Sequence, residues 1–258
     1  MRVVLIGAGG LATNLGQALH EAGHELMAVY SRTMQSARLL ADKLGCKATN
    51  DLSALPLEAD VFIVSVKDAV LDTVISQLAK GREGQLMVHT AGSMPMALFE
   101  GKTRHYGVLY PMQSFSKERQ VDFNGVSIFL ETSDEQSLAT LKVLANSISP
   151  KVYELSSEER KYLHLSAVFA CNFVNHCYAL SAEILERLGL PFSVMLPLTD
   201  ETARKVHQLQ PKDAQTGPAV RYDQNVISMQ NQLLADQPEM QQIYELMTKS
   251  IHQKAIER

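Results

Sequence analysis

The stretch RVVLIGAGGLA, residues 2–12, constrains this chain more than any other. Val3 to Ile6 is an apolar run with no polar alternation, which predicts a strand buried on both faces, as in parallel sheets. Parallel neighbours require a crossover connection, usually a helix, and the glycines stand where the chain would turn into one. The same unit recurs. ELMAVYS (25–31) precedes a helical MQSARLLADKLG (34–45), and ADVFIVSV (59–66) precedes DAVLDTVISQLAKG. QLMVHTAGS (85–93), HYGVLYPM (105–112) and VSIFLET (126–132) read as further strands, followed by a helix at 134–147 and a short strand KVYEL. Such alternation predicts an α/β fold with a doubly wound sheet.

The pattern changes near residue 156. SSEE is a helix start, with a serine cap and an acidic first turn. From there the periodicity is helical throughout: one helix to about Gly189, another from Pro191 to about 209, a loop at 210–223, and helices at 223–236 and 238–257. The expected organisation is a sheet domain, 1–153, and an all-helical C-terminal domain, 154–258.

Residues 7–12, GAGGLA, have the spacing G-x-G-x-x-A after a strand and at the opening of a helix. Gly7 allows the tight turn, Gly9 lets backbone approach a pyrophosphate, and Ala12 keeps helix and sheet close. With Gly10 and Leu11 they present N–H groups at a helix N-terminus, where phosphate binds. The motif predicts a dinucleotide. An NAD site carries an acidic residue about 20 positions further on. Here that region reads Tyr30-Ser31-Arg32-Thr33. Arg32 is suited to a 2′-phosphate and Ser31 and Thr33 flank it, so the expected cofactor is NADP.

HEAGH (20–24) has the lettering of a zinc-protease helix. Gly23 is expected to end the helix between His20 and His24, which breaks the geometry two ligands need, so no metal is expected. The net charge of −4, without a Lys/Arg run, argues against nucleic acid. The most apolar stretch, 166–185, contains Asn172, Asn175, His176 and Glu183, too polar for a membrane span. Cys46, Cys171 and Cys177 lack CxxC spacing and read as free thiols. With no targeting segment ahead of the first strand, a cytoplasmic location is expected.

The glycine turn, a second strand ending YSRT, a third ending VSVKD and a helical second half resemble the pyrroline-5-carboxylate reductase and 6-phosphogluconate dehydrogenase-like superfamily. HTAGSM (89–94), GVLYPMQSFS (107–116), HLSAVFACNFVNH (164–176) and TGPAVRYD (216–223) look like a bacterial family of Rossmann-like proteins with a C-terminal domain of unknown function. The resemblance implies a Rossmann sheet. It implies that Ser65, Val66 and Lys67, and residues 90–93, run past the nicotinamide ribose, and that the long helix covers the nicotinamide. In 6-phosphogluconate dehydrogenase-like enzymes that helix supplies a Lys and an Asn one turn apart. If Asn172 matches the Asn, Val168 stands where the Lys would be.

His164 is the substitute expected to exchange a proton. At about 100° per residue, His164 and Asn175 share one line of a straight helix, with Asn172 within roughly 80°. These polar groups read either as a site, as a satisfied hydrogen-bond network, or as a subunit interface. Asn172, Gln113 and Ser93 are the expected substrate-orienting residues, with Ser114 beside them; strand ends of open α/β sheets place ligands there. The function expected is NADP-dependent hydride transfer to or from a small polar substrate with a C=O or C=N group. The alternative is an NADP-binding sensor or scaffold without turnover. The superfamily also implies a homodimer through the C-terminal helices, which an apolar first helix favours. TGPAVRYD then reads either as a lid bringing Arg221 to an anionic substrate group or as a connector in which Asp223 caps the next helix.

Overall fold

The computed structural model describes residues 1–257. They form two compact units, Met1–Asn172 and 173–257. In the first, eight strands make one sheet: β1 (Arg2–Ile6), β2 (Glu25–Tyr30), β3 (Lys47–Thr49), β4 (Val61–Val64), β5 (Leu86–His89), β6 (His105–Met112), β7 (Ser127–Thr132) and β8 (Val152–Glu154). Their order is β3-β2-β1-β4-β5-β6-β7-β8. All neighbours are parallel except β6 and β7. The chain winds outward from β1 to β3, then returns to β4 on the other side of β1. That reversal opens a crevice at the carboxyl ends of β1 and β4, where open α/β sheets bind ligands.

Helices α1 (Gly10–Glu21), α2 (Met34–Leu44), α3 (Asp68–Leu78) and α4 (Glu135–Asn146) connect the strands. Alternate strand residues enter two cores. Val3, Leu5, Val61, Ile63 and Val88 face α1, α2 and α4 through Leu15, Leu40 and Leu141. Val4, Ile6, Phe62, Val64 and Met87 face α3 through Leu71, Ile75 and Leu78. Each such fully buried aliphatic side chain contributes about 1.5–3 kcal/mol.

The observed strands β4 and β5 are shorter than the apolar runs that predict them, because the backbone turns into the crevice at Ser65 and Thr90. β3 gives no sequence signal: three residues are too few for a period. At the HEAGH stretch, Gly23 has φ +85° and ends α1. His24 Nε2 lies 2.8 Å from the Ser147 hydroxyl, and its Nδ1 lies 3.1 Å from the Met1 amino group.

The helix that follows the sheet departs from expectation in two respects. α5 (Ser157–Ala167) starts with a full capping box between Ser156 and Glu159. It belongs to the same compact unit as the sheet, whereas the sequence reading divides the chain at 153/154. The reason is Arg160, whose buried guanidinium ties α5 to β7. Secondly, Val168–Phe173 is π-helical before α6 (Val174–Glu186) resumes. A π turn carries more residues than an α turn. The common line of His164 and Asn175, with Asn172 within roughly 80°, assumes constant phase and therefore does not hold.

The second unit is helical. After α6 come α7 (Leu196–Lys205), α8 (Pro211–Ala214), α9 (Pro218–Arg221), α10 (Gln224–Gln232) and α11 (Pro238–Ile256). Residues 210–223, expected as a loop, contain the single turns α8 and α9. Tyr222 ends α9 with φ +52° and stacks on His252 of α11, ring centroids 4.3 Å apart. Asp223 caps α10, its carboxylate accepting from the Val226 N–H. This unit buries few apolar side chains, Leu185, Leu234 and Met240, while Leu188, Leu198, Leu233 and Leu246 are exposed.

Candidate active site

The crevice is formed by backbone. The Gly7 N–H donates to Tyr30 O over 2.8 Å and the Ser65 N–H to Ile6 O over 2.7 Å, so the ends of β1, β2 and β4 are locked in register. Gly7 has φ +130°, and a Cβ there would collide with the Ser65 carbonyl. At the start of α1, Gly9 is extended, no side chain caps the first turn, and no acidic residue lies in it. A Cβ on Gly9 would meet nothing within 4 Å. The first-turn N–H groups thus open into free space beside the β1/β4 switch, an arrangement that attracts an anion. Ala12 is fully buried against the sheet and Leu11 packs on the same core.

Gly10 is glycine for a reason the motif does not contain. A Cβ there would lie 2.6 Å from the Phe115 carbonyl oxygen. The segment following β6 crosses the first turn of α1, and buried Asn14 holds it. Asn14 Nδ2 donates to Gly10 O at 2.9 Å and Ser116 O at 2.8 Å, and its Oδ1 accepts from the Val121 N–H at 2.9 Å.

Ser31 follows β2, and Arg32 is exposed beside it. Thr33 caps α2: its hydroxyl accepts from the Ser36 N–H at 3.4 Å and donates to Ser36 Oγ at 2.9 Å. Its side chain is thereby committed to the helix, which leaves Arg32 as the cation at the end of β2.

A second group of polar residues lies further along the sheet. The Tyr110 hydroxyl is 3.1 Å from His164 Nδ1, with the rings edge-on. Both press on Gly92, where a Cβ would lie 2.6 Å from His164 Nδ1 and 2.8 Å from the Tyr110 ring. One turn before His164, Arg160 is 1% exposed. It donates to Glu131 Oε2 at 2.6 Å, to Met94 O at 2.7 Å and to Ser157 Oγ at 3.1 Å. Ser157 Oγ also donates to Glu131 Oε2 at 2.6 Å. Burial would raise the Glu131 carboxyl, but the hydrogen bonds from Ser157 and Arg160 outweigh it and hold the group below the ordinary range.

His89 closes the turn between these groups. Its Nδ1 accepts from the Ala91 N–H at 3.2 Å and its Nε2 faces Pro95 O at 3.3 Å, which defines an Nε2–H tautomer. Burial lowers its pKa to about 4, so it is neutral at physiological pH. The loop 90–94 that it shapes abuts His164 at Gly92 and carries Ser93, whose hydroxyl donates to Asp68 Oδ2 at 2.6 Å.

The sequence-derived residues therefore separate into groups. Gly7, Gly9, Leu11, Ala12, Ser65 and half-buried Val66 belong to the crevice. Ser93 and His164 adjoin one loop. Gln113 is exposed at the end of β6, its Oε1 accepting from the Ser114 N–H at 2.8 Å, and Asn172 is exposed on the π-helical segment. Tyr110, Arg160, Glu131 and Asn14 do not stand out in the sequence. The spacing 157, 160, 164 on one helical face is the signal that could have found the α5 members.

Comparison with known proteins gives two family matches. Residues 2–92 match the family described as NADP oxidoreductase coenzyme F420-dependent, and 126–251 match a domain of unknown function, DUF2520. Among solved structures, a "putative NADP oxidoreductase" from Bacteroides fragilis is 55% identical, with 98% of each chain covered and a TM-score of 0.94. A protein from Thermotoga maritima is 25% identical over 98% of this chain and 99% of its own, with a TM-score of 0.82. An imine reductase from Myxococcus stipitatus, solved with NADP+, shares the fold at 16% identity and a TM-score of 0.66, covering 100% of this chain and 94% of its own. No curated protein matches.

Proposed function

This chain belongs to the family of the Bacteroides fragilis protein, with a Rossmann-type NADP-oxidoreductase domain followed by DUF2520, and on that premise we propose that it is an NADP-dependent oxidoreductase acting on a small polar molecule with a C=O or C=N group. The observation that carries this reading is the first turn of α1 at the β1/β4 switch, which no side chain caps and which is open at Gly9. It fits a pyrophosphate by shape and by the sign of its partial charge. Gly7, Gly9, Gly10, Leu11 and Ala12 form that cradle, and Ser65 and Val66 border it. Arg32, with Ser31 and Thr33 flanking, takes the 2′-phosphate. The cofactor, when bound, supplies or accepts the hydride at its nicotinamide.

The protein's own residues bind, orient and exchange the proton. His164 gives or takes the proton at the substrate oxygen or nitrogen. Ser93, Gln113 and Asn172 orient the substrate. The exposed apolar side chains of the helical unit support assembly as a homodimer through those helices, in which the partner covers Leu188, Leu233 and Leu246. Among the described residues no helix is long and apolar enough to cross a membrane. The three cysteines are free, in keeping with a reducing cytoplasm.

The test is to mix the protein with NADPH and a panel of imines, 2-oxo acids and aldehydes, following nicotinamide absorbance. Turnover that falls about 10²–10⁴-fold in His164→Ala, at nearly constant NADPH affinity, supports the reading. Tight NADPH binding with no oxidation across the panel favours a sensor instead. Sedimentation at micromolar concentration reads the dimer, and a monomer refutes it.

A further inference from the structure

The Tyr110–His164 pair contains more information than a proximity. Tyr110 is 7% exposed, and His164 Nδ1 at 3.1 Å is the hydrogen-bond partner of its hydroxyl. Burial pushes the phenol's ionisation up, so the hydroxyl keeps its proton. A buried O–H left without an acceptor is destabilising. If Nδ1 carried hydrogen, the phenol oxygen would have to accept from it and its own proton would be stranded. If Nδ1 is bare, the phenol donates to it and both groups are satisfied. The neutral ring then bears its hydrogen on Nε2, for which no protein partner exists among the described residues.

Three features fix this arrangement. Gly92 leaves room for the two rings to meet, since a Cβ there would fall 2.6 Å from Nδ1. Arg160, one turn earlier on α5, anchors the helix to Glu131 and Met94. Phe129 packs beside Tyr110, with ring centroids 6.4 Å apart.

We propose that Tyr110 is a positioning residue that holds neutral His164 as the Nε2–H tautomer, so that the nitrogen left for substrate is a hydrogen-bond donor. A fixed donor selects an acceptor. A carbonyl oxygen or an imine nitrogen of the ligand is such an acceptor. This rests on the reading of His164 as a substrate-contacting residue.

The experiment reads the ring directly. Protein isotope-labelled at its histidine ring nitrogens is examined by NMR near pH 8.5, where an ordinary imidazole is neutral, at about two units above its pKa. The His164 signals are those lost in His164→Gln. The expected result is one tautomer with protonated Nε2 and bare Nδ1, shifting in Tyr110→Phe to the averaged signals of two exchanging tautomers. A protonated Nδ1 in the unaltered protein, or identical ring signals in Tyr110→Phe, overturns the proposal. Because these readings need no substrate, they are independent of the His164→Ala turnover test and can fail or succeed separately. With a substrate in hand, Tyr110→Phe should lower kcat about 10-fold or more while KM for NADPH changes less than about twofold. An unchanged kcat would remove Tyr110 from the mechanism.

Discussion

The carbonyl oxygen of Ser65 occupies the space where a side chain on Gly7 would begin. Two strand ends, β1 and β4, are thus joined backbone to backbone at the switch point. Gly7→Ala must both adopt φ +130° and displace the Ser65 peptide. The expected loss of stability is at least about 3 kcal/mol, since backbone strain of this kind alone costs about 1–3 kcal/mol. Urea denaturation checks it, and a midpoint unchanged from the parent would contradict the close approach.

Gly9 offers the contrasting case. Its Cβ would enter open space and its φ is −82°, which alanine adopts freely. Gly9→Ala should cost no more than about 1 kcal/mol of stability, the usual scale of an N-cap change. NADPH binding should nevertheless weaken by about 1.4 kcal/mol or more, a tenfold rise in Kd. Calorimetric titration with undiminished affinity would show that the space is not the cofactor's.

Arg32 is proposed to set the choice between cofactors. Arg32→Ala should weaken NADPH binding by about 1.5–3 kcal/mol, the range for a charged hydrogen-bond partner, and scarcely alter NADH binding. Parallel titrations with both decide it. Equal losses would mean that Arg32 does not meet the 2′-phosphate.

The Arg160–Glu131 pair is a structural strut. Removing Arg160 leaves the Glu131 carboxylate charged, unpaired and 18% exposed, so Arg160→Met should destabilise the protein by up to about 3–5 kcal/mol. Replacing both, as Arg160→Met with Glu131→Leu, should recover part of that loss. A double variant no better than the single one would mean that the Arg160 hydrogen bond to the Met94 carbonyl, rather than the ion pair, holds α5 in place.

His89 makes stability depend on pH on the acid side. Its folded pKa, about 4, lies below the ordinary value of 6.5. Between those values the unfolded chain binds one more proton, so stability falls as pH drops from about 6.5 to 4, by about 3 kcal/mol in all, and is unaffected above pH 7. In His89→Phe the pH slope of the urea midpoint should be shallower across this window. An unchanged slope would assign the acid sensitivity to the carboxylates alone.

The sheet is legible in the sequence because parallel strands buried on both faces leave uninterrupted apolar runs, and because glycines mark the turns into helices. The cradle of Gly7, Gly9 and Ala12 is legible for the same reason: its demands are local. The second polar group is not. Arg160 stands in SSEERKY among charges that face water, and only its partners at Glu131 and Met94, 29 and 66 residues away, bury it. Tyr110 sits in GVLYPM, where a strand reading already explains it. The π-helical segment is hidden too. Nothing in SAVFACNFV breaks a helix, so constant α phase is the natural extrapolation, and it puts His164 and Asn175 on one line, a phase that the π-helical segment between them breaks.

Asn14 also has a bearing on how the molecule is made. Its carboxamide needs the Ser116 carbonyl and the Val121 N–H, 102 and 107 residues later in the chain. While the protein is being synthesised, residues 2–92 emerge with the glycine turn and β1, β4 and β5 but without the segment that closes over Gly10. Until about thirty further residues leave the ribosome, the amide has only water and Gly10 as partners, and loop closure over such a separation is slow compared with local structure. The nascent half-domain therefore lacks the backbone that covers Gly10 until residue 121 has been made.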